Sequence, residues 1–94
     1  MGEATYKTAL RKWAKAQDIF YVNVSGGIYS KLGDPDIVFC CNSRFVAIEC
    51  KAKGGEWTTE QRKRKAQCER SGGVYHVVYS LAEGQQVILS YIKS

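Results

Sequence analysis

Two short apolar runs with a four-residue connection between them constrain this chain more than any other feature. Ile37-Val38-Phe39-Cys40-Cys41 follows Pro35-Asp36, and Phe45-Val46-Ala47-Ile48 leads into Glu49-Cys50-Lys51. Aliphatic and aromatic runs of this length read as strands, and a link as short as Cys41-Asn42-Ser43-Arg44 makes the pair a hairpin. Pro35 sits where a strand starts, a position that tolerates its missing N–H. Side chains alternate along a strand, so Glu49 and Lys51 share a face and Cys50 takes the other. With matching register, Asp36 joins Glu49 and Lys51. Asp34 points to the same side of an extended segment and is the alternative, although an Asp between Gly and Pro is ordinarily a turn former.

Around this hairpin the pattern changes period. Residues from Ala4 to Gln17 read as a helix, with Tyr6, Leu10, Trp13 and Ala14 on one face and Lys7, Arg11 and Lys15 on another. Ile19 to Val24 reads as a strand, and Ser25-Gly26-Gly27 opens a loop that ends at Gly33. After a Gly54-Gly55 turn, Thr59 to Arg70 reads as a helix, with Thr58 as N-cap and Gln61 completing a capping box. Ser71-Gly72-Gly73 stops it, Val74 to Tyr79 reads as a strand, and Val87 to Ile92 fits either a last strand or a short helix. The order αβββαβ plus a tail implies an α/β fold in which helices flank a mixed sheet, with residues 1–94 forming a single domain.

The net charge of +5 favours a polyanionic partner, because basic side chains gain from releasing the counterions condensed on phosphates. Arg62, Lys63, Arg64, Lys65 and Arg70 crowd the second helix, leaving Ala66 and Cys68 for packing. Such a helix has its surroundings completed by a nucleic-acid backbone or a second subunit, or else it is a solvated face covering the sheet edge. No run approaches the roughly 20 apolar residues of a membrane span, and the polar N-terminus is unlike a secretory segment, so a soluble cytoplasmic protein is expected. The same absence favours reduced thiols for the four cysteines, and Cys40, Cys41, Cys50 and Cys68 contain no zinc-type C-x-x-C pair.

An E-x-K triplet alone is weak, since shuffling this composition gives about 0.6 of them. Its context makes it specific: the triplet ends an apolar strand whose neighbour begins with Asp36. Two carboxylates plus the Cys50 backbone carbonyl suit Mg²⁺, a hard ion that takes oxygen ligands and keeps part of its water shell. Lys51 is then placed to hold the nucleophile or offset negative charge on a phosphorane, which points to phosphodiester hydrolysis. The alternative for Glu49 and Lys51 is a surface ion pair worth about 0 to 1 kcal/mol. Glu3 lies near the apolar face of the first helix, or simply in its solvated first turn where the dipole favours an acid. His76, within an apolar strand, reads as a satisfied core or edge histidine. Gly27-Ile28-Tyr29 lacks a second GIY-YIG motif nearby, and no nucleotide-hydrolase phosphate loop is present.

Along nearly its whole length the chain resembles the VRR-NUC domain, a branch of the PD-(D/E)xK nucleases with a restriction-endonuclease-like core. The residues that carry the likeness are Glu3, Ser25-Gly26-Gly27, Gly33-Asp34-Pro35-Asp36-Ile37, Glu49-Cys50-Lys51 and Thr59-Glu60-Gln61. The resemblance implies a Mg²⁺-dependent endodeoxyribonuclease, with Mn²⁺ able to substitute. Asp36, Glu49, Glu3 and the Cys50 carbonyl would be the metal ligands, Lys51 the catalytic lysine, and Gln61 would complete the site. Lys31, Lys53, Arg62, Lys63, Arg64 and Lys65 would bind DNA. Stand-alone members of this size resemble homodimeric Holliday-junction resolvases of phage or prophage-carrying bacteria, and longer relatives cut flaps. Val87 to Tyr91, Tyr21 and Tyr29 are interface candidates. Many members have proline before the glutamine, where this chain reads Thr58-Thr59-Glu60. A non-catalytic DNA-binding protein, with Trp57 stacking on a base or on Arg62, and a scaffold that has lost its chemistry are the competing readings.

Overall fold

The computed structural model describes residues 5–24 and 32–93. Its elements run α1 (Lys7–Ala16), β1 (Tyr21–Asn23), β2 (Ile37–Cys41), β3 (Arg44–Cys50), α2 (Thr59–Arg70), β4 (Val74–Val78) and α3 (Leu81–Ile92). This is the expected mixed sheet flanked by helices, in spatial order β1-β2-β3-β4. The first three strands are antiparallel neighbours and β4 lies parallel to β3, a return that requires the crossover helix α2.

Local chemistry sets most boundaries. Asn42 and Ser43 adopt φ of 53° and 68°, the left-handed conformations of a tight two-residue hairpin turn. Asp18, at φ 60°, ends α1: its N–H bonds the Lys15 carbonyl while the Ile19 N–H reaches back to Ala14. Gly72, at φ 99°, ends α2 in the same way through Glu69 and Cys68. Thr58 and Gln61 form the reciprocal capping box that the sequence predicts.

One face of the sheet holds the core. Ile37, Phe39 and Cys41 of β2, Val46, Ile48 and Cys50 of β3, and Val78 of β4 meet Leu10 and Ala14 of α1 and Ile88 of α3. Gly84 lets the two helices close, because a Cβ there would come within 3.0 Å of Leu10 Cδ2. The other face is shared with α2, which packs through Gln61, Arg64, Lys65 and Cys68 at helical spacing.

One expectation changes and one open choice is decided. Ala66 is exposed, so α2 rests on Gln61, Cys68 and the aliphatic stems of Arg64 and Lys65. The tail is a twelve-residue helix capped by Ser80, not a strand, and it begins well before Val87. Ile88 is fully buried, while Val87, Tyr91 and Tyr21 are partly buried against the core. Tyr29 lies outside the described residues. Among them no helix is long and apolar enough to cross a membrane, and the cysteines are free thiols.

Candidate active site

The hairpin register decides the centre of the site. Ile37 pairs with Ile48, so Asp36 falls opposite Glu49 and both carboxylates project on one face. Asp36 is 6 % exposed, and its Oδ2 accepts the Cys50 N–H at 2.8 Å. A strand residue directs its N–H and C=O to the same side, so the Cys50 carbonyl also turns toward the β2 side of β3. The Lys51 N–H turns the other way, donating to the Val78 carbonyl at 2.9 Å.

Glu49 gathers the remaining groups. Its Oε2 lies 3.8 Å from Lys51 Nζ and accepts from Gln61 Nε2 at 3.0 Å. Burial is the main cause that pushes the Glu49 carboxyl up to about 7, and the Asp36 charge adds to it while Lys51 and then Lys7 oppose it. Asp36 Oδ1 is held by Lys7 Nζ at 3.0 Å.

The segment leading into Asp36 is tied at three points. Gly33, at φ 86°, lies so close to the first turn of α2 that a Cβ would sit 2.4 Å from the Glu60 carbonyl oxygen. Tyr75 donates its hydroxyl to the Gly33 carbonyl at 2.8 Å, and Arg64 grips Asp34 Oδ1 through Nε at 3.0 Å and Nη2 at 2.8 Å. On the far side, the Tyr6 hydroxyl lies 2.8 Å from the Lys51 carbonyl oxygen and 2.9 Å from that of Val78, fastening the start of α1 to the ends of β3 and β4.

No protein-family model matches the sequence, and no curated protein matches it. A solved structure described as "VRR_NUC domain" is similar to it with a TM-score of 0.66, covering 94 % of this chain and 99 % of that one at 20 % sequence identity. The chain has the VRR-NUC fold.

Within this VRR-NUC fold, Asp36, Glu49, Lys51 and Gln61 converge as the sequence predicts, whereas Glu3 lies outside the described residues. Among the described residues no group of three or more His, Cys, Asp or Glu side chains is arranged to hold a metal. Asp36, Glu49 and the Cys50 carbonyl offer only oxygen atoms, a set that would suit a hard divalent cation that retains water. Burial first and the Asp36 charge second raise Glu49, and a bound cation would offset both.

The basic residues divide. Lys53 and Lys63 are exposed, and Arg62 lies with its guanidinium carbon 5.6 Å from the Trp57 ring centroid. Arg64 is occupied by Asp34 and Gln67, and Lys65 by Glu69 and the Tyr75 carbonyl. Lys31 lies outside the described residues. Lys7, Tyr6 and Tyr75 are the positions that sequence reasoning did not assign to the site, and Arg64, expected to bind DNA, holds Asp34 instead. Spacing gave no signal for them, because their partners lie 29 to 72 residues away.

His76 faces α3 and shares a 2.8 Å hydrogen bond with the Tyr91 hydroxyl. Burial, with help from Lys65, holds its pKa below the ordinary histidine value. Its ring nitrogen is satisfied within the fold by the Tyr91 hydroxyl.

Proposed function

We propose that this protein is a metal-dependent endodeoxyribonuclease that hydrolyses phosphodiester bonds in branched DNA, with the four-way junction as its preferred substrate and a homodimer as its working form. The supporting observation is the cross-strand pairing of Asp36 with Glu49, beside a lysine ammonium 3.8 Å from the Glu49 carboxylate. A surface ion pair does not call for a second, buried carboxylate on the same face, and this arrangement has one.

Asp36 Oδ1, the Glu49 carboxylate and the Cys50 carbonyl would hold Mg²⁺, or Mn²⁺ in its place. The bound ion supplies Lewis acidity, lowering the pKa of a water and stabilising negative charge on the phosphoryl oxygens. Glu49 must be ionised to act as a ligand, so loading releases the proton that its raised pKa retains near neutrality. Gln61 fixes the Glu49 carboxylate by donating to Oε2. Lys51 is positioned to hold the attacking water or to offset the charge of a pentacoordinate phosphorus, and Tyr6 anchors its backbone. A two-fold junction presents two equivalent strands, and a two-fold pair of these domains presents two sites.

The test is incubation with Mg²⁺ and a panel of linear, flap and four-way DNA. Paired, symmetric nicks in the four-way form support the full reading. Flap cleavage alone would make it a flap nuclease, and salt-sensitive binding without cleavage would make it a DNA-binding protein.

A further inference from the structure

We propose that Lys7 is a second active-site cation, seated on the Asp36 oxygen that a metal would take, and that it transfers to the substrate phosphate when a divalent ion binds. The inference rests on the nuclease reading above. Asp36 has two oxygens, and Oδ2 is occupied by the Cys50 N–H at 2.8 Å. Oδ1 is the oxygen an incoming ion would take without competing with that backbone donor, and Lys7 Nζ lies 3.0 Å from it. An ammonium and a metal ion cannot share that position.

Lys7 is not an incidental surface lysine. It opens α1, where the helix dipole disfavours a positive charge, so its place does nothing for the helix itself. The preceding residue is Tyr6, whose hydroxyl lies within hydrogen-bond distance of the Lys51 and Val78 carbonyls, so the backbone at Lys7 is fixed relative to the carboxylates. Its side chain is 30 % exposed against 7 % for Asp36. The ammonium can therefore leave along its flexible stem without moving the helix, whereas the carboxylate stays. Once both carboxylates hold a divalent ion, Lys7 is repelled from them, and the nearest new anion is the phosphate of bound DNA. In the free protein Lys7 is paired with Asp36, and its charge also favours the ionised form of Glu49. In the complex it adds a positive charge beside the scissile group.

The test measures metal binding rather than turnover. Calorimetric titration of Mn²⁺ into DNA-free protein is compared for wild type, Lys7→Met and Asp36→Asn. Lys7→Met should bind Mn²⁺ about fivefold more tightly, because its competitor is gone. The same variant, bound to four-way DNA in Ca²⁺, should lose about one unit of salt slope. Equal or weaker Mn²⁺ binding by Lys7→Met, with wild-type binding intact and sensitive to Asp36→Asn, overturns the role of Lys7 alone. Absence of Mn²⁺ binding by wild type, or binding indifferent to Asp36→Asn, overturns the nuclease reading as well. Should Lys7→Met fail to fold, ¹³C-labelled lysine decides the matter in wild type: the Lys7 Cε resonance should shift on Mg²⁺ addition, and an unmoved resonance rejects displacement.

Discussion

Gln61 serves two structures with one side chain: its Oε1 accepts the Thr58 N–H at 3.0 Å while its Nε2 donates to Glu49 Oε2 at 3.0 Å. The cap settles which end of the amide is oxygen, and the nitrogen is thereby aimed at the carboxylate. Capping and site geometry are one arrangement, and variants separate them. Thr58→Ala should cost about 1 kcal/mol of stability, read by urea melting, with cleavage rates below the melting range within about twofold of wild type. Gln61→Met should show a similar stability loss and, in addition, a rate about tenfold or more lower, because Glu49 loses its orienting donor.

The two residues assigned to the chemistry should behave differently from binding residues. Glu49→Gln and Lys51→Met should each reduce Mg²⁺-dependent cleavage of four-way DNA by about 10² to 10⁴-fold while binding in Ca²⁺ is retained. Cleavage by Glu49→Gln at the parental rate would remove Glu49 from the mechanism.

Metal-free stability should depend on pH through Glu49. Its carboxyl is raised from 4.5 to about 7 in the fold, so the folded state binds its proton more tightly than the unfolded chain. That contribution is complete below pH 4.5 and is lost as pH rises through about 7. In EDTA, wild type should lose stability between pH 5 and pH 8.5 relative to Glu49→Gln, measured as the difference in urea unfolding free energy.

His76 should act in the opposite direction. Its pKa lies below the ordinary 6.5 when folded, so the stability it allows is present above 6.5 and lost as pH falls through the folded value. His76→Gln should weaken the acid destabilisation of the wild-type protein in that window. An unchanged acid limb would show that His76 is not what makes it.

Gly33→Ala should be among the most damaging small substitutions. It places a side chain at φ 86° and a Cβ 2.4 Å from the Glu60 carbonyl oxygen. A loss of about 2–4 kcal/mol is expected from strain and overpacking together. Because this segment leads directly into Asp36, calorimetric Mn²⁺ affinity of the folded fraction should fall as well.

The cysteines should differ in reactivity. Burial pushes Cys41 up to about 11 and Cys50 up to about 12, and it also raises Cys68, so all three remain thiols at neutral pH. Cys40 is exposed. One thiol should react rapidly with Ellman's reagent in the native protein, and all four after unfolding in denaturant.

Much of the fold is legible because it is written locally. The Asn42-Ser43 turn, the Thr58/Gln61 box and the glycines after α2 each act over a few residues, so the hairpin and α2 appear in the sequence nearly to their observed ends. The tail helix had a comparable signal: Ser80 accepts from the Glu83 N–H at 3.1 Å and Glu83 reaches back to the Tyr79 N–H at 2.7 Å. Gly84 obscures that signal in sequence, because its role is to admit Leu10 from another helix rather than to break its own. Ala66 misleads for a related reason. Which stripe of a basic helix meets the sheet is decided by the crossover from β3 to β4, and small apolar residues do not determine it.

The sequence by itself determined that two strands meet with Asp36, Glu49 and Lys51 near their junction, because a short connection and a period of two leave few other placements. Only the tertiary structure decided that Lys7 reaches Asp36, that Tyr6 anchors Lys51, and that Arg64 and Tyr75 hold the approach to Asp36. These contacts span 29 to 45 positions. They exist only once α1 and α2 have settled on opposite faces of a registered sheet, and no local pattern along the chain encodes that angle of approach.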